Sequence, residues 1–133
     1  METSVPQKLE VYINAELEKA ALYRELAKIA PSETARKILL EFANDGQFHL
    51  DEFKRIYRSM TGNSYNPEVQ PVYLTKPYQD ILGKLVLDES GDFRKYEEQY
   101  LDTSQNSPLK NAYYRAKTDS NVHALRLLYL LSE

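Results

Sequence analysis

Four ionisable side chains that could hold a metal ion recur at matched positions in the two halves of the sequence. Glu16 is followed by His49 thirty-three residues later, and Glu89 is followed by His123 thirty-four residues later. The chain has two histidines, and both belong to this pattern. Carboxylate and imidazole groups together suit iron, manganese or zinc. The spacing therefore predicts an internal repeat whose two copies bring one Glu and one His each to a common layer.

Four long helices are predicted to carry these residues. Around each His, apolar or small residues recur every three or four positions, which draws one buried stripe along a helix. The first helix is expected to end before Pro31, and the third is expected near residues 77–103. The residues that suit helix caps at the other boundaries are Ser4, Ser32, Gly62 and Ser107.

The lengths of the connections predict how the helices pair. Short turns join the first helix to the second and the third to the fourth, so each pair should form an antiparallel hairpin. Residues 63–76 contain two prolines and could span about 46 Å when extended. The sequence therefore predicts one all-α domain over residues 1–133, a ferritin-like antiparallel four-helix bundle. Its parts are hairpin 1 (about 4–62), one long crossover (63–76) and hairpin 2 (about 77–131).

Composition narrows the function classes. The 133 residues include no cysteine, so any metal in this chain must be held by His and carboxylates. A net charge of −3, with basic residues spread along the chain, argues against nucleic acid as a partner. No segment has the apolar run of a membrane span, and the first residues lack the pattern of a signal peptide. We therefore expect no membrane partner and a cytoplasmic location.

Over nearly its whole length the chain resembles the rubrerythrin-related members of the ferritin-like superfamily. The resemblance lies in the Glu and His spacing and in the segments LYRELAKIAP, FKRIYRSMTG and TDSNVHALRLLYLL. In that family each hairpin supplies a Glu from its first helix and a Glu-x-x-His pair from its second, and the six side chains hold two metal ions. The resemblance implies that Glu16, His49, Glu89 and His123 match metal ligands.

Two positions depart from the family pattern. Gly46 and Ser120 stand three residues before the histidines, where the family has its metal-bridging Glu. Without both bridges a pair of metal ions is poorly held, so the expected cofactor is one divalent ion (Fe, Mn or Zn), or none. Gly46 and Ser120 should leave room for water or a small ligand. Asp45 and Asp119 lie about 100° around the helix from those positions, which makes them poor substitute ligands.

Tyrosine is abundant, with eleven in the chain and no tryptophan. Tyr23 and Tyr96 lie two turns from Glu16 and Glu89, where a phenol could hydrogen-bond to a ligand carboxylate. The alternative is that they pack at the edge of the core, since tyrosine is amphipathic. A homodimer surface is a further prediction, and the tyrosines considered for it are Tyr12, Tyr57, Tyr113, Tyr114 and Tyr129.

Two main functions follow from these residues and the resemblance, beside a third, a scaffold that stores or carries a metal without turnover. The first is a metal-binding oxidoreductase that reacts with oxygen or peroxide at a reduced site of two Glu and two His. It would need a separate electron donor, because the chain has no Cys-rich rubredoxin module. The alternative is a non-enzymatic descendant that serves as a binding or structural protein. In that case Glu16 and Glu89 would hydrogen-bond to His49 and His123 in a metal-free polar core.

Overall fold

The computed structural model describes residues 3–133, which contain four long α-helices and no strand. Helix α1 covers Val5–Lys28, α2 covers Glu33–Thr61, α3 covers Tyr78–Asp102 and α4 covers Pro108–Leu131. The all-α four-helix bundle predicted from the sequence is confirmed, with helix boundaries close to the predicted positions. No helix within residues 3–133 has both the length and the apolar character needed to cross a membrane.

The predicted caps are present at the helix boundaries. Ser4 Oγ accepts a hydrogen bond from the Gln7 amide at 3.2 Å, and Gln7 Oε1 accepts one from the Ser4 amide at 2.9 Å. This reciprocal pair satisfies two amides that the helix itself leaves unpaired. Ser32 caps α2 and Ser107 caps α4 in the simpler way, through the side chain alone.

Gly62 ends α2 with a φ of 77°, in the left-handed region that disfavours a Cβ. We expect Gly62→Ala to lower the free energy of unfolding by about 1 kcal/mol. The matched control is Gly83→Ala within α3, where a Cβ would meet no atom within 4 Å. Alanine should stabilise that helical position by roughly 0.5–1 kcal/mol. Urea unfolding of both variants checks the opposite signs, and a shift of the same sign in both would contradict this account.

Two apolar clusters fill opposite ends of the bundle. The Phe53 cluster contains residues from the start of α1, the end of α2, the end of α3 and the start of α4. The Phe42 cluster contains residues from the opposite ends of the same helices. Helices α1 and α4 therefore run one way, and α2 and α3 run the other way. The crossover connects the two ends, since its Tyr65 packs on the Phe53 cluster and its Leu74 packs on the Phe42 cluster.

The helices are not equally close to one another. Helix α1 packs tightly on α2, α3 packs tightly on α4, and α2 meets α4 between the hairpins, whereas the backbones of α1 and α3 stay farther apart. The α1/α3 groove along this seam contains two adjoining cavities of about 310 and 320 Å³. Among the residues that line it are Lys19, Leu22, Leu85, Asp88 and Asp92.

The tyrosines considered for a dimer surface do not form one surface. Tyr12 and Tyr113 are buried in the Phe53 cluster, where they pack edge to face with ring centroids 5.9 Å apart. Tyr57 is half-buried, and its hydroxyl donates a hydrogen bond to Glu10 at 2.9 Å. Tyr114 and Tyr129 are exposed on α4. The homodimer therefore stays a prediction, and of the five tyrosines considered for it two are exposed.

Candidate functional site

A layer of polar side chains separates the two apolar clusters. Glu16 from α1, His49 from α2, Glu89 from α3 and His123 from α4 lie in it, and each exposes 3% of its surface or less. Within hairpin 2, His123 Nδ1 lies 2.5 Å from Glu89 Oε2. Within hairpin 1 the corresponding pair is looser, with 3.5 Å between His49 Nδ1 and Glu16 Oε2. The structure thus brings together the four residues singled out by their spacing.

The Nε2 atom of each histidine is hydrogen-bonded to an aspartate. In both cases the aspartate belongs to the other hairpin. His49 Nε2 donates to Asp119 Oδ2 at 2.6 Å, and His123 Nε2 donates to Asp45 Oδ2 at 2.8 Å. Sequence reasoning weighed these aspartates only as substitute metal ligands and missed them as partners of the histidines. The sequence did contain a pattern that could have indicated this role. Each aspartate precedes a histidine by four residues, which is about one helical turn and puts the two on the same face of their helix.

Two buried tyrosines also reach across the bundle. The Tyr23 hydroxyl donates to Glu89 Oε2 at 3.2 Å, and the Tyr96 hydroxyl donates to Glu16 Oε1 at 2.8 Å. Each phenol thus contacts the Glu of the other hairpin. Burial and the carboxylates nearby raise the pKa of both phenols well above the ordinary value, so both remain neutral donors.

Lys19 is a member of the layer that sequence reasoning did not identify. Its ammonium lies 2.6 Å from Glu89 Oε1, 2.9 Å from Asp92 Oδ2 and 3.8 Å from Glu16 Oε1. The side chain is 12% exposed, at the floor of the α1/α3 groove. Lys19 follows Glu16 by three residues, which puts both on one face of α1. That spacing could have suggested the contact, although it did not show that the ammonium points inward.

The charges of the layer stabilise one another. Burial by itself would raise the pKa of Glu16, but Lys19 and His49 outweigh it and lower that pKa to about 2. Burial would lower the pKa of Lys19, yet the surrounding carboxylates, Glu16 first among them, raise it above the ordinary value. The Glu16 carboxylate and the Lys19 ammonium are therefore both charged at neutral pH.

The pKa values of the two histidines are likewise set by a balance between burial and nearby carboxylates. Burial favours a neutral imidazole, but the hydrogen bond to Asp119 and the nearby Glu16 carboxylate outweigh it and raise the pKa of His49 to about 9. For His123, Asp45 and Glu89 likewise overcome burial and raise the pKa above the ordinary value. The His49 ring is therefore imidazolium at neutral pH, with a proton on both nitrogens. Both nitrogens of His123 face carboxylate oxygens, at 2.5 and 2.8 Å, and this geometry favours the same doubly protonated ring.

The space expected beside Gly46 is absent, so that prediction was wrong. Gly46 is buried against α1, and a Cβ added to it would lie 3.3 Å from Ala20 Cβ. Because Gly46 has no side chain, α1 and α2 approach each other closely at this position, and no pocket is left between them. A Cβ at this position would require Ala20 or the backbone near it to shift by a few tenths of an ångström. Ser120, the other position without a bridging Glu, is also buried, with 2% of its surface exposed.

The metal ion that the resemblance implies does not fit the layer as its side chains stand. A metal-bound imidazole must present a lone pair to the ion. Here each Nδ1 faces a Glu oxygen, and Lys19 already places a positive charge beside Glu89 and Glu16. In the described part of the chain, no three His, Asp or Glu side chains are grouped so that they could hold a metal ion.

Comparison with known proteins finds a relative in Bacillus subtilis. The uncharacterized protein YhjR of strain 168 is 33% identical to this chain over 125 residues, which cover 94% of this chain and 85% of YhjR. No protein-family model matches the chain, and no solved structure matches it.

Proposed function

Because the chain belongs to the same family as the uncharacterized protein YhjR of Bacillus subtilis, we propose its function from its own polar layer. The proposal is a non-enzymatic, ferritin-like bundle that serves as a binding or structural protein. Its centre is held by hydrogen bonds and ion pairs among its own side chains, without a metal ion.

The observation that carries this proposal is that each buried charge of the layer faces an opposite charge from the chain itself. The two buried carboxylates are faced by three cationic groups, the Lys19 ammonium and the two imidazolium rings. Three partly exposed aspartates, Asp45, Asp92 and Asp119, bind the outer sides of those cations. Buried charges normally require such pairing, which a metal ion supplies in many proteins. Here the chain supplies it.

The direction of the contacts supports a structural role. The Tyr96–Glu16 and Tyr23–Glu89 hydrogen bonds join α1 to α3, whose backbones lie far apart. The two His–Asp contacts join α2 to α4. Since every one of these bonds crosses between hairpins, the layer fixes how hairpin 1 sits on hairpin 2. A polar layer of this kind selects one packing arrangement over others that an apolar core would permit.

A metal-binding oxidoreductase is the second candidate, and one observation favours it. Ligand histidines usually have their second ring nitrogen fixed by a carboxylate, and Asp45 and Asp119 fix the histidines here in that manner. Iron, manganese or zinc would then be the cofactor, and a separate electron donor would be the partner.

Metal analysis distinguishes the two candidates. We expect anaerobically purified protein to contain far less than one metal ion per chain, because Lys19 and the imidazolium rings already balance the carboxylates. Additions of Fe²⁺, Mn²⁺ or Zn²⁺ should leave the melting temperature unchanged, since an ion that does not bind the native state cannot stabilise it. Tight binding of one ion per chain, lost in His123→Ala, would replace this proposal with the second candidate.

A further inference from the structure

The Lys19 ammonium lies where a cation can face the buried carboxylates of both hairpins. Its nitrogen contacts Glu89 at 2.6 Å and lies 3.8 Å from Glu16, and it belongs to α1, the same helix as Glu16. Asp92 holds the ammonium from α3 at 2.9 Å. The Lys19 ammonium, which is covalently attached to α1, thus lies between the carboxylates of Glu16 and Glu89, which come from different hairpins.

A divalent ion and this ammonium cannot share the layer. Both would occupy the space between the same carboxylates, and like charges a few ångströms apart repel strongly in a buried site. The ammonium also has an advantage over an ion in solution, because it is covalently attached and its effective concentration at the site is high.

The α1/α3 groove offers a route by which a cation could reach the layer. Lys19 lies at its floor, and Glu18, Asp88 and Asp92 are among the residues that line it. Negative charge at a cleft raises the local concentration of cations. Neither access nor the charge of the groove excludes a metal ion. The imidazole protons can leave when a metal binds, so the obstacle that stays in place is the side chain of Lys19.

We propose that Lys19 is a tethered cation that excludes divalent metal ions, and that replacing it with a neutral side chain converts the layer into a site for one such ion. The inference rests on the proposed function, because it concerns the reason why the native chain holds no metal. Once the ammonium is removed, the two Glu and two His are donors of the kind that bind Zn²⁺, Mn²⁺ or Fe²⁺. Lys19 would then be the residue that determines metal specificity.

The test compares Lys19→Met with Lys28→Met. Both remove a lysine from α1, but Lys28 is exposed and, among residues 3–133, pairs only with Glu25. We expect Zn²⁺ and Mn²⁺ titrations followed by calorimetry to show one site per chain in Lys19→Met, bound at least about 100-fold more tightly than by the wild type because the repulsion is gone. Lys28→Met should behave like the wild type. Addition of His123→Ala to Lys19→Met should abolish the new site.

The outcomes are distinguishable. A folded Lys19→Met protein that takes up no ion, beside a metal-free wild type, would overturn this inference and leave the proposed function intact. Tight metal binding by the wild type would overturn both. If Lys19→Met does not fold alone, Lys19→Met with Asp92→Asn removes one unbalanced carboxylate, and folding of either variant on addition of Zn²⁺ is the expected result. Failure of both to fold with and without metal would also overturn the inference.

Discussion

Replacing Glu89 with leucine should lower the free energy of unfolding by roughly 3–5 kcal/mol, because it breaks a buried ion-pair network by removing one partner. Glu89 is fully buried, and its carboxylate accepts hydrogen bonds from Lys19, Tyr23 and His123. Leucine nearly fills the space but leaves an ammonium and an imidazolium without their main counter-charge. Urea unfolding at neutral pH, followed by circular dichroism, measures the loss.

Glu25→Leu is the matched control for this change. It removes the partner of Lys28 in an exposed ion pair within α1, and such pairs contribute about 0–1 kcal/mol. The double variant Glu89→Leu with Lys19→Met should be more stable than Glu89→Leu alone, since it no longer buries an unpaired ammonium. Equal losses in Glu89→Leu and Glu25→Leu would show that the polar layer does not hold the bundle together.

Stability should be greatest between about pH 4.5 and 6.5 and should fall on both sides. The pKa of Glu16 is lowered from 4.5 to about 2, so its contribution is complete above pH 4.5 and is lost as the pH falls toward 2. The pKa of His49 is raised from 6.5 to about 9, so its contribution is complete below pH 6.5 and is lost as the pH rises through 9. His123, whose pKa is also raised, acts in the same direction as His49.

The loss of stability at alkaline pH is more informative than the loss at acidic pH. Between pH 6.5 and 9.5 the loss from His49 should be on the order of 3 kcal/mol, which urea unfolding at a series of pH values can resolve. The chain has no histidine outside the layer, so surface imidazoles add nothing to this change. Asp119→Asn removes the charge that faces His49 Nε2 and should flatten the curve. A wild-type curve that is level from pH 6.5 to 9.5 would contradict the charged state assigned to both rings.

The charged residues of the layer depend on one another, so a change in any one of them should alter the stability or the binding properties of the whole layer. Each charge is tolerated in the interior because a specific partner faces it. Removal of a proton from His49, of a carboxylate from Glu89 or of the ammonium from Lys19 leaves the remaining charges unbalanced. The structure predicts a different consequence in each case: alkaline instability, a large loss of stability and a gain of metal binding.

The elements of the bundle could be predicted from the sequence because their causes are local. Ser4, Ser32 and Gly62 act within one turn of their own helices, and the spacing of apolar residues depends on the helical repeat alone. The repeat of Glu and His in the two halves likewise required only counting. It placed Glu16, His49, Glu89 and His123 at one level, and the structure has them there.

Contacts between hairpins could not be predicted in the same way. Whether Asp119 meets His49 depends on the distance and rotation between α2 and α4, which the spacing within either helix does not specify. Gly46 shows the same limit: the sequence showed a missing side chain, and only the packing of α1 showed that the space is filled by Ala20.

The sequence by itself therefore determined the four helices, their pairing into two hairpins and the identity of four residues in the central layer. Only the tertiary structure decided what those residues face. Lys19 is the clearest case, because a lysine at the edge of a helix stripe can extend into water or turn its ammonium inward. It turns inward here because Glu89 and Asp92, some seventy residues away in the chain, present carboxylates at hydrogen-bonding distance. That contact, which no local pattern encodes, gives the two buried carboxylates a cationic partner besides the histidines.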